Sequence, residues 1–288
     1  FRAWREICKR FGYQYEYQNL KRQKESIGEY DSHGLAFYWK ERWSADINTR
    51  SKVWIEEREE QAHETANMAG GNLLYRDFSL ADRLRNAAQL NMDWQYSPSV
   101  QISANTLYKS DDYENTQIGV TDSEEQIIGV NISWQVDRDL STYASIQKSW
   151  MSWMMAGSAQ QSVPTWNSEQ DDVYDVFTFG IHQSGLNNNT VNLGLNYSYV
   201  TSKGQTDIGS TNDYEKLQAT GHTLQSFVSY QWRPEWELRF ETLYERYQSE
   251  SPFHIALNTL PRVIGNAIKD DNYSDWLFGL RLKYQIPE

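Results

Sequence analysis

The chain lacks the residues that build disulfide frameworks and covalent haem sites. It has 288 residues but a single cysteine, Cys8, so no internal disulfide can form. Covalent attachment of a c-type haem uses the motif Cys-x-x-Cys-His, which one cysteine cannot supply. We therefore expect this polypeptide to carry no cofactor of its own.

Long apolar runs and an excess of positive charge are also missing. No stretch approaches the roughly 18–20 apolar residues that a transmembrane helix needs, and the mean hydropathy is −0.77. The formal net charge is −12 at pH 7. Without a basic patch to neutralise phosphates, the chain is not expected to bind nucleic acid.

What the sequence does contain is a period of two and many aromatic residues, 12 Trp and 19 Tyr among them. Apolar and polar residues alternate over ten or more positions, which predicts strands with one apolar and one polar face. The clearest hairpin spans 88–108 around a turn at Pro98. Its apolar positions are Ala88, Leu90, Met92, Trp94 and Tyr96, then Val100, Ile102, Ala104, Thr106 and Tyr108.

About twelve such strands follow one another along the chain, and their connections alternate in length. Short connections are predicted near residues 41, 98, 138, 188 and 234, and long polar ones at 19–32, 57–83, 110–123, 154–171, 202–218 and 249–271. Outer-membrane barrels have short periplasmic turns and long extracellular loops. The alternation predicts an all-β, transmembrane, antiparallel up-and-down β-barrel in the bacterial outer membrane.

The length of the strands supports this interpretation over a soluble fold. A tilted membrane-crossing strand needs about 9–11 residues, whereas soluble strands usually have about 5–6. An aromatic-rich soluble β-sandwich or a carbohydrate-binding protein remains the alternative. The sequence begins at Phe1 without Met or the charged and apolar regions of a signal peptide, which an exported barrel needs. We therefore expect residues 1–288 to be the C-terminal portion of a longer chain.

The apolar face should contact lipid and the polar face should line the lumen. We expect the lumen-facing positions to include the contacts to any partner held inside. These candidate partner-facing residues are Asp46, Arg50, Gln89, Asn91, Asp93, Gln95, Asn131, Asn192, Asn196, Glu237, Arg239, Glu241, Arg281 and Lys283.

No catalytic or metal motif stands out from this pattern. The five histidines, at positions 33, 63, 182, 222 and 254, lack metal-ligand spacing. The carboxylates of Glu237, Glu241 and Glu245 share one strand face, and a solvated lumen row explains them better than an active site. Acidic residues crowd two predicted loops and suggest calcium, but a solvated rim is the simpler interpretation. They are Asp111, Asp112, Asp122, Glu124 and Glu125 in one loop, and Asp171 and Asp172 in the other.

Two longer stretches of the chain resemble a family. LLYRDFSLADRLRNAAQLNMDWQYSPSVQISANTLYKSDDY is similar to the recurring loop and hairpin of the MtrB/PioB-type decahaem-associated outer-membrane proteins, and YQWRPEWELRFETLYERYQSES, NTLPRVIGN and GLRLKYQI are similar to their C-terminal end. The resemblance implies a sheath that holds a periplasmic multihaem c-type cytochrome across the membrane for extracellular electron transfer. A second, extracellular multihaem cytochrome is a further partner that it implies. A general diffusion porin is the main alternative, and a barrel enzyme or adhesin is a third.

Overall fold

Twelve antiparallel strands form one sheet, in the order in which they occur along the chain. The computed structural model describes residues 9–21, 28–63, 74, 78, 81–158, 163–209, 217–250 and 272–285. The strands are β1 (Lys9–Lys21), β2 (Gly28–Arg42), β3 (Ile47–His63), β4 (Arg83–Ser97), β5 (Val100–Asp112), β6 (Gly119–Gln135), β7 (Leu140–Gly157), β8 (Trp166–Gly185), β9 (Val191–Ile208), β10 (Leu217–Arg233), β11 (Trp236–Glu250) and β12 (Tyr273–Tyr284). This confirms the predicted up-and-down topology.

The strands contain 12 to 20 residues, which is more than the bilayer requires. They extend into the segments that the sequence analysis assigned to long loops, so those predicted boundaries were wrong. β3 continues to His63, β8 begins at Trp166 and β9 reaches Ile208. The charged residues there still alternate between two faces, and neighbouring strands satisfy their backbone groups. The ladder therefore continues beyond the apolar zone.

The connections retain the predicted alternation in length. Short ones occupy residues 43–46, 98–99, 136–139, 186–190 and 234–235, and longer ones occupy 22–27, 64–82, 113–118, 158–165, 209–216 and 251–272. The first short turn was predicted at residues 40–42, but β2 continues to Arg42 and the turn follows it. All short turns lie at one end of the sheet, because every strand pairs only with its sequence neighbours.

One short turn depends on three consecutive asparagines. The single helical turn in the described part of the chain, α1 (Leu186–Asn189), has positive φ at Asn187, Asn188 and Asn189 (50°, 59° and 66°). Asparagine tolerates this left-handed region better than most side chains. The Asn-rich sequence thus explains how the chain reverses between β8 and β9. The described residues contain no helix that is long and apolar enough to cross a membrane.

The register brings the predicted apolar positions of all strands onto one face, which we call the apolar face. Across four strands, for example, Val53 pairs with Ala88, and Thr106 lies between Leu90 and Ile128. Aromatic rings concentrate on this face near the short turns and again about ten residues further along the strands. The girdle of aromatic residues near the short turns comprises Trp39, Trp94, Tyr96, Trp134, Tyr230, Trp232, Trp236 and Tyr284. Two such girdles are typical of the two interfaces of a membrane.

The apolar face also carries a charged pair, next to Ile146 and Trp150 of β7. Lys148 of β7 pairs in register with Asp175 of β8, and their charged atoms are 3.3 Å apart. Ionised side chains are costly on a lipid-facing surface. The attraction between the two opposite charges offsets part of this cost.

Candidate partner-facing surface

The opposite face, which we call the polar face, is the inner side of the curved wall. On a curved sheet, side chains of the concave face converge and shield one another, while those of the convex face diverge. Ile128 of the apolar face is 52% exposed, whereas its neighbour Ile127 on the polar face is partly buried. Val53 and Ile146, also on the apolar face, are 56% and 60% exposed. The apolar face is therefore convex and the polar face lines the interior.

The polar face carries all but one of the predicted partner-facing residues. They fall into two groups, separated by β7 and β8. The first group is Arg50, Gln89, Asn91, Asp93, Gln95 and Asn131, and the second is Asn192, Asn196, Glu237, Arg239, Glu241, Arg281 and Lys283. Asp46 was wrongly placed on a strand. It lies in the turn at 43–46, where its carbonyl accepts a hydrogen bond from the Gln95 amide at 2.8 Å.

The first group presents paired and partnered charges. Nη2 of Arg50 lies 2.7 Å from Oδ2 of Asp93, and Arg50 is largely open to solvent. On the same strand, the Lys52 ammonium stands 4.5 Å from the ring centre of Trp54. Such cation–π contacts hold a long cationic side chain against the wall. Gln95 instead donates to the Ser97 carbonyl at 2.7 Å and stabilises the turn.

The second group centres on one carboxylate between two arginines. Arg239 and Arg281 are register partners on β11 and β12. Glu241 contacts both of them, with Oε1 2.7 Å from Nε of Arg239 and Oε2 3.7 Å from Nη2 of Arg281. The Arg239 contact is an ion pair without hydrogen-bond geometry. Its guanidinium also lies 3.8 Å from the ring centre of Phe227, so the side chain lies along the wall.

Two large rings lie flat over glycines on the polar face. A Cβ at Gly194 would be 2.1 Å from Cε1 of Phe227, and a Cβ at Gly180 would be 2.2 Å from Cε1 of Tyr143. The Tyr143 hydroxyl then donates to Oδ1 of Asn196 at 3.1 Å. Only glycine permits such a close approach of a ring to the strand. The rings therefore add little height to the inner surface.

At the long-connection end, the polar face contains a buried ion-pair cluster. Arg85 donates two hydrogen bonds to Asp111, at 2.6 and 2.7 Å, and Asp111 is 7% exposed. Arg83 contacts Glu56 and Lys109 contacts Glu125 beside them. Asp111 and Glu125 were predicted to lie in a solvated loop. That prediction was wrong, because β5 and β6 continue through these residues and pair them with basic partners.

Part of the connection between β3 and β4 rests on this end of the polar face. The buried Arg58 donates to the Ala81 carbonyl from Nε (2.9 Å) and Nη2 (2.8 Å), and to the Phe78 carbonyl from Nη2 (2.7 Å). The Phe78 ring reaches across to Trp153 on β7, with ring centres 6.4 Å apart. Tyr113, Val120 and Met155 pack near Ala81. Phe78 and Ala81 of this connection thus lie on the lumen side of the sheet.

The histidines with described side chains lie on different faces. His182 lies on the polar face, 5.8 Å from the Phe227 ring, while His33 and His222 lie on the apolar face. Their Nδ1 atoms are hydrogen-bonded to Tyr15 and Tyr197 at 2.7 and 2.9 Å. Within the described ranges, no three His, Cys, Asp or Glu side chains converge as metal ligands would. His254 lies outside the described residues, as does the side chain of His63.

Sequence reasoning missed the aromatic residues of the inner surface. Phe227, Tyr143 and Trp54 occupy positions whose neighbours two residues away are polar or small. An aromatic residue out of phase with the apolar positions was the available signal. The matching signal is a glycine in the polar phase of the adjacent strand, as at Gly194 and Gly180.

Comparison with known proteins places this wall in a family. The model of the outer membrane beta-barrel porin family MtrB/PioB matches residues 1–286. The chain belongs to the MtrB/PioB family. The outer membrane protein MtrB of Shewanella baltica (strain OS185) is 30% identical over 218 residues, which are 75% of this chain and 31% of that protein. The chain thus spans about a third of its curated relative.

Solved structures agree with the fold that the MtrB/PioB assignment implies. The copper transporter OprC superposes with a TM-score of 0.64 at 9% identity, over 98% of this chain and 43% of that one. The ferric enterobactin receptor PfeA of Pseudomonas aeruginosa gives 0.63 at 10% identity, over 97% and 42%. At such identities the likeness concerns the fold alone. The predicted outer-membrane β-barrel is confirmed, and the polar face is the lining of its lumen.

Proposed function

We propose that this MtrB/PioB chain forms part of a sheath that holds a multihaem c-type cytochrome across the outer membrane for extracellular electron transfer. The haems belong to the cytochrome, since the chain has one cysteine and no attachment motif. The barrel isolates the redox centres from lipid, because only closed barrels and helices satisfy their backbone within hydrocarbon. An extracellular multihaem cytochrome at the outer end would complete the route. The barrel itself performs no catalysis.

The observation that carries the proposal is that large side chains of the lumen face lie flat against the strands and do not project into the lumen. Phe227 and Tyr143 lie against glycines, and Arg239 lies against Phe227. A wall that keeps its large side chains flat leaves room for a wide occupant and presents it with a continuous surface. A small-solute channel gains selectivity from side chains that project into the pore.

The charges of the lumen also suit a protein occupant. Both signs occur within each group, as in Arg50 with Asp93 and in Arg239 with Glu241. Mixed signs fix the register of a protein partner and add limited net affinity. A pore for one class of ion would instead carry one sign of charge.

A general diffusion porin is the second candidate, and one observation favours it. Phe78 and Ala81, from the connection between β3 and β4, lie on the lumen face. A connection that folds inward narrows a pore, as a porin requires. In this alternative the lumen holds water, and the wall passes small polar solutes.

Reconstitution of the full-length protein separates the two functions. We expect a haem-containing cytochrome to co-purify with it, and the complex in planar bilayers to pass little ionic current because its lumen is filled. Protein stripped of the cytochrome is the control and should conduct more and show no haem absorbance. A large steady conductance from the native preparation, with no haem protein bound, would establish the porin instead.

A further inference from the structure

The geometry points to a seat for the lumen occupant at the long-connection end, formed by Phe78 and Trp153 and held in place by Arg58. It rests on the proposed function, and the occupant is the multihaem cytochrome. The seat would contact an apolar patch at the leading end of that cytochrome. It would set how far the cytochrome advances toward the outside.

The fixed position of Phe78 is the first support for the seat. Arg58 is 5% exposed, and it donates three hydrogen bonds to the main-chain carbonyls of residues 78 and 81. Hydrogen bonds from a charged donor are stronger than neutral ones. The guanidinium also stands 5.2 Å from the ring centre of Tyr30. A clamp of this kind holds Phe78 at one place on the lumen wall.

Further contacts brace the same connection from the neighbouring hairpin. The Leu74 carbonyl accepts a hydrogen bond from the Ile118 amide at 3.2 Å. Asn115 donates from Nδ2 to Oδ2 of Asp82, also at 3.2 Å. The connection is therefore tied to β3 by Arg58 and to residues between β5 and β6. Contacts on both sides hold the connection in place when the cytochrome presses against it.

The chemistry of the seat indicates what it contacts. Phe78 is 50% exposed, although the surrounding wall is polar and charged. Trp153, Met151 and Val120 line one side of a cavity beside it, and the charged side chains of the Arg85–Asp111 cluster line the other. Exposed apolar surface on an otherwise polar wall marks a place where a partner excludes water. The patch is small, so it fits one apolar projection of a protein and not an extended interface.

The location of the seat suits a contact that limits how far the cytochrome can move along the lumen. Arg58 lies opposite Arg83 at the beginning of β4, well beyond the aromatic girdle near the short turns. A cytochrome that enters from the short-turn, periplasmic side would meet Phe78 only after crossing the hydrocarbon zone. The inward connection that a porin would use as a constriction would here determine the depth of the cytochrome.

Thiol labelling of the full-length protein tests this contact. With Cys8→Ser as background, Phe78→Cys should react with a water-soluble maleimide in the empty barrel and be protected when the cytochrome is bound. Asp112→Cys is the matched control, because its exposed side chain lies on the outer face at the end of β5. It should label equally in both preparations.

Variants that keep the native cysteine measure the strength of the seat. Phe78→Ala should release the cytochrome about tenfold faster, the loss expected for a buried aromatic anchor. Phe78→Leu should retain most of the contact. Arg58→Ala should behave like Phe78→Ala, while Arg138→Ala, at an exposed arginine in the short turn at the opposite end of the strands, should leave the release rate unchanged.

The outcomes distinguish the seat from the sheath. If no cytochrome co-purifies with the unmodified protein, both the proposed sheath function and the proposed seat are wrong. If the cytochrome is bound but Phe78→Cys labels at the same rate with and without it, the seat is overturned and the sheath stands. Protection of Phe78→Cys together with faster release from Phe78→Ala supports both.

Discussion

Arg239 and Arg281 face each other across β11 and β12 with one carboxylate, Glu241, between them. Like charges directly opposite on a sheet are unfavourable, so one acidic side chain offsets two basic ones. The local surface keeps an excess of positive charge. An occupant with acidic groups at this height would complete the pairing.

Reversal of both arginines should therefore weaken the hold on the occupant. We expect Arg239→Glu with Arg281→Glu to reduce cytochrome retention and transmembrane electron transfer in liposomes, because three carboxylates would then face the partner. Insertion should survive, since lumen substitutions spare the lipid face. Cytochrome bound per barrel is the measurement. The milder Arg239→Lys with Arg281→Lys, which preserves charge, is the control, and equal losses from both pairs would contradict a charge-based contact.

Substitutions on neighbouring residues of β4 test the assignment of the two faces. Leu90→Arg should cost about 2–4 kcal/mol of unfolding free energy, the range for a cation at the bilayer midplane. Leu238→Arg should cost less, because Leu238 lies close to the girdle residue Trp236. Urea titration of the folded barrel in bilayers measures both values. Gln89→Arg, one residue away on the polar face, should cost little, and a cost equal to that of Leu90→Arg would refute the assignment.

The contact between Phe227 and Gly194 predicts a specific packing defect. Gly194→Ala should destabilise the barrel by about 1–3 kcal/mol, because overpacking forces the ring off the wall. Adding Phe227→Ala should recover part of that loss. Gly221→Ala is the control, since the nearest atom to its Cβ would be 4.0 Å away. The midpoint of urea unfolding measures the stability of each variant. Equal effects of Gly194→Ala and Gly221→Ala would contradict the close approach of the Phe227 ring.

The buried pair of Arg85 and Asp111 should matter far more than the exposed pair of Arg50 and Asp93. Arg85→Ala removes both of its hydrogen bonds to a carboxylate that is 7% exposed and leaves that carboxylate with Arg83 at 4.0 Å. It should cost about 3 kcal/mol, as for other buried pairs that lose one partner. Arg50→Ala should cost less than about 1 kcal/mol, as exposed pairs do. The difference in unfolding free energy between these variants is the measurement. Similar small losses would mean that water reaches Asp111 freely.

The sequence predicted the wall well because a period of two is a local property. Leu90 and Gln89 differ in face whatever happens elsewhere in the chain, so strand count, topology and the two faces could all be read. The ends of the strands could not be read in this way. Asp111 seemed a loop residue because it is charged, and only its register beside Arg85 shows that it belongs to the ladder.

The inner surface was harder to predict because it depends on contacts between strands. Gly194 is informative only when Phe227 is known to lie beside it, and that depends on the register between β9 and β10. The same holds for Arg58, which donates to main-chain carbonyls 20 and 23 residues away. No local pattern in residue type records such a contact.

Each strand of this sheet bonds only to the strands before and after it in the chain. A hairpin gained or lost by duplication or deletion of a gene segment would leave all other pairings in place and return the chain to the same side of the membrane. The circumference of the barrel can therefore change in steps of two strands without any rethreading. A container built in this way can be fitted over evolutionary time to the girth of whatever it holds.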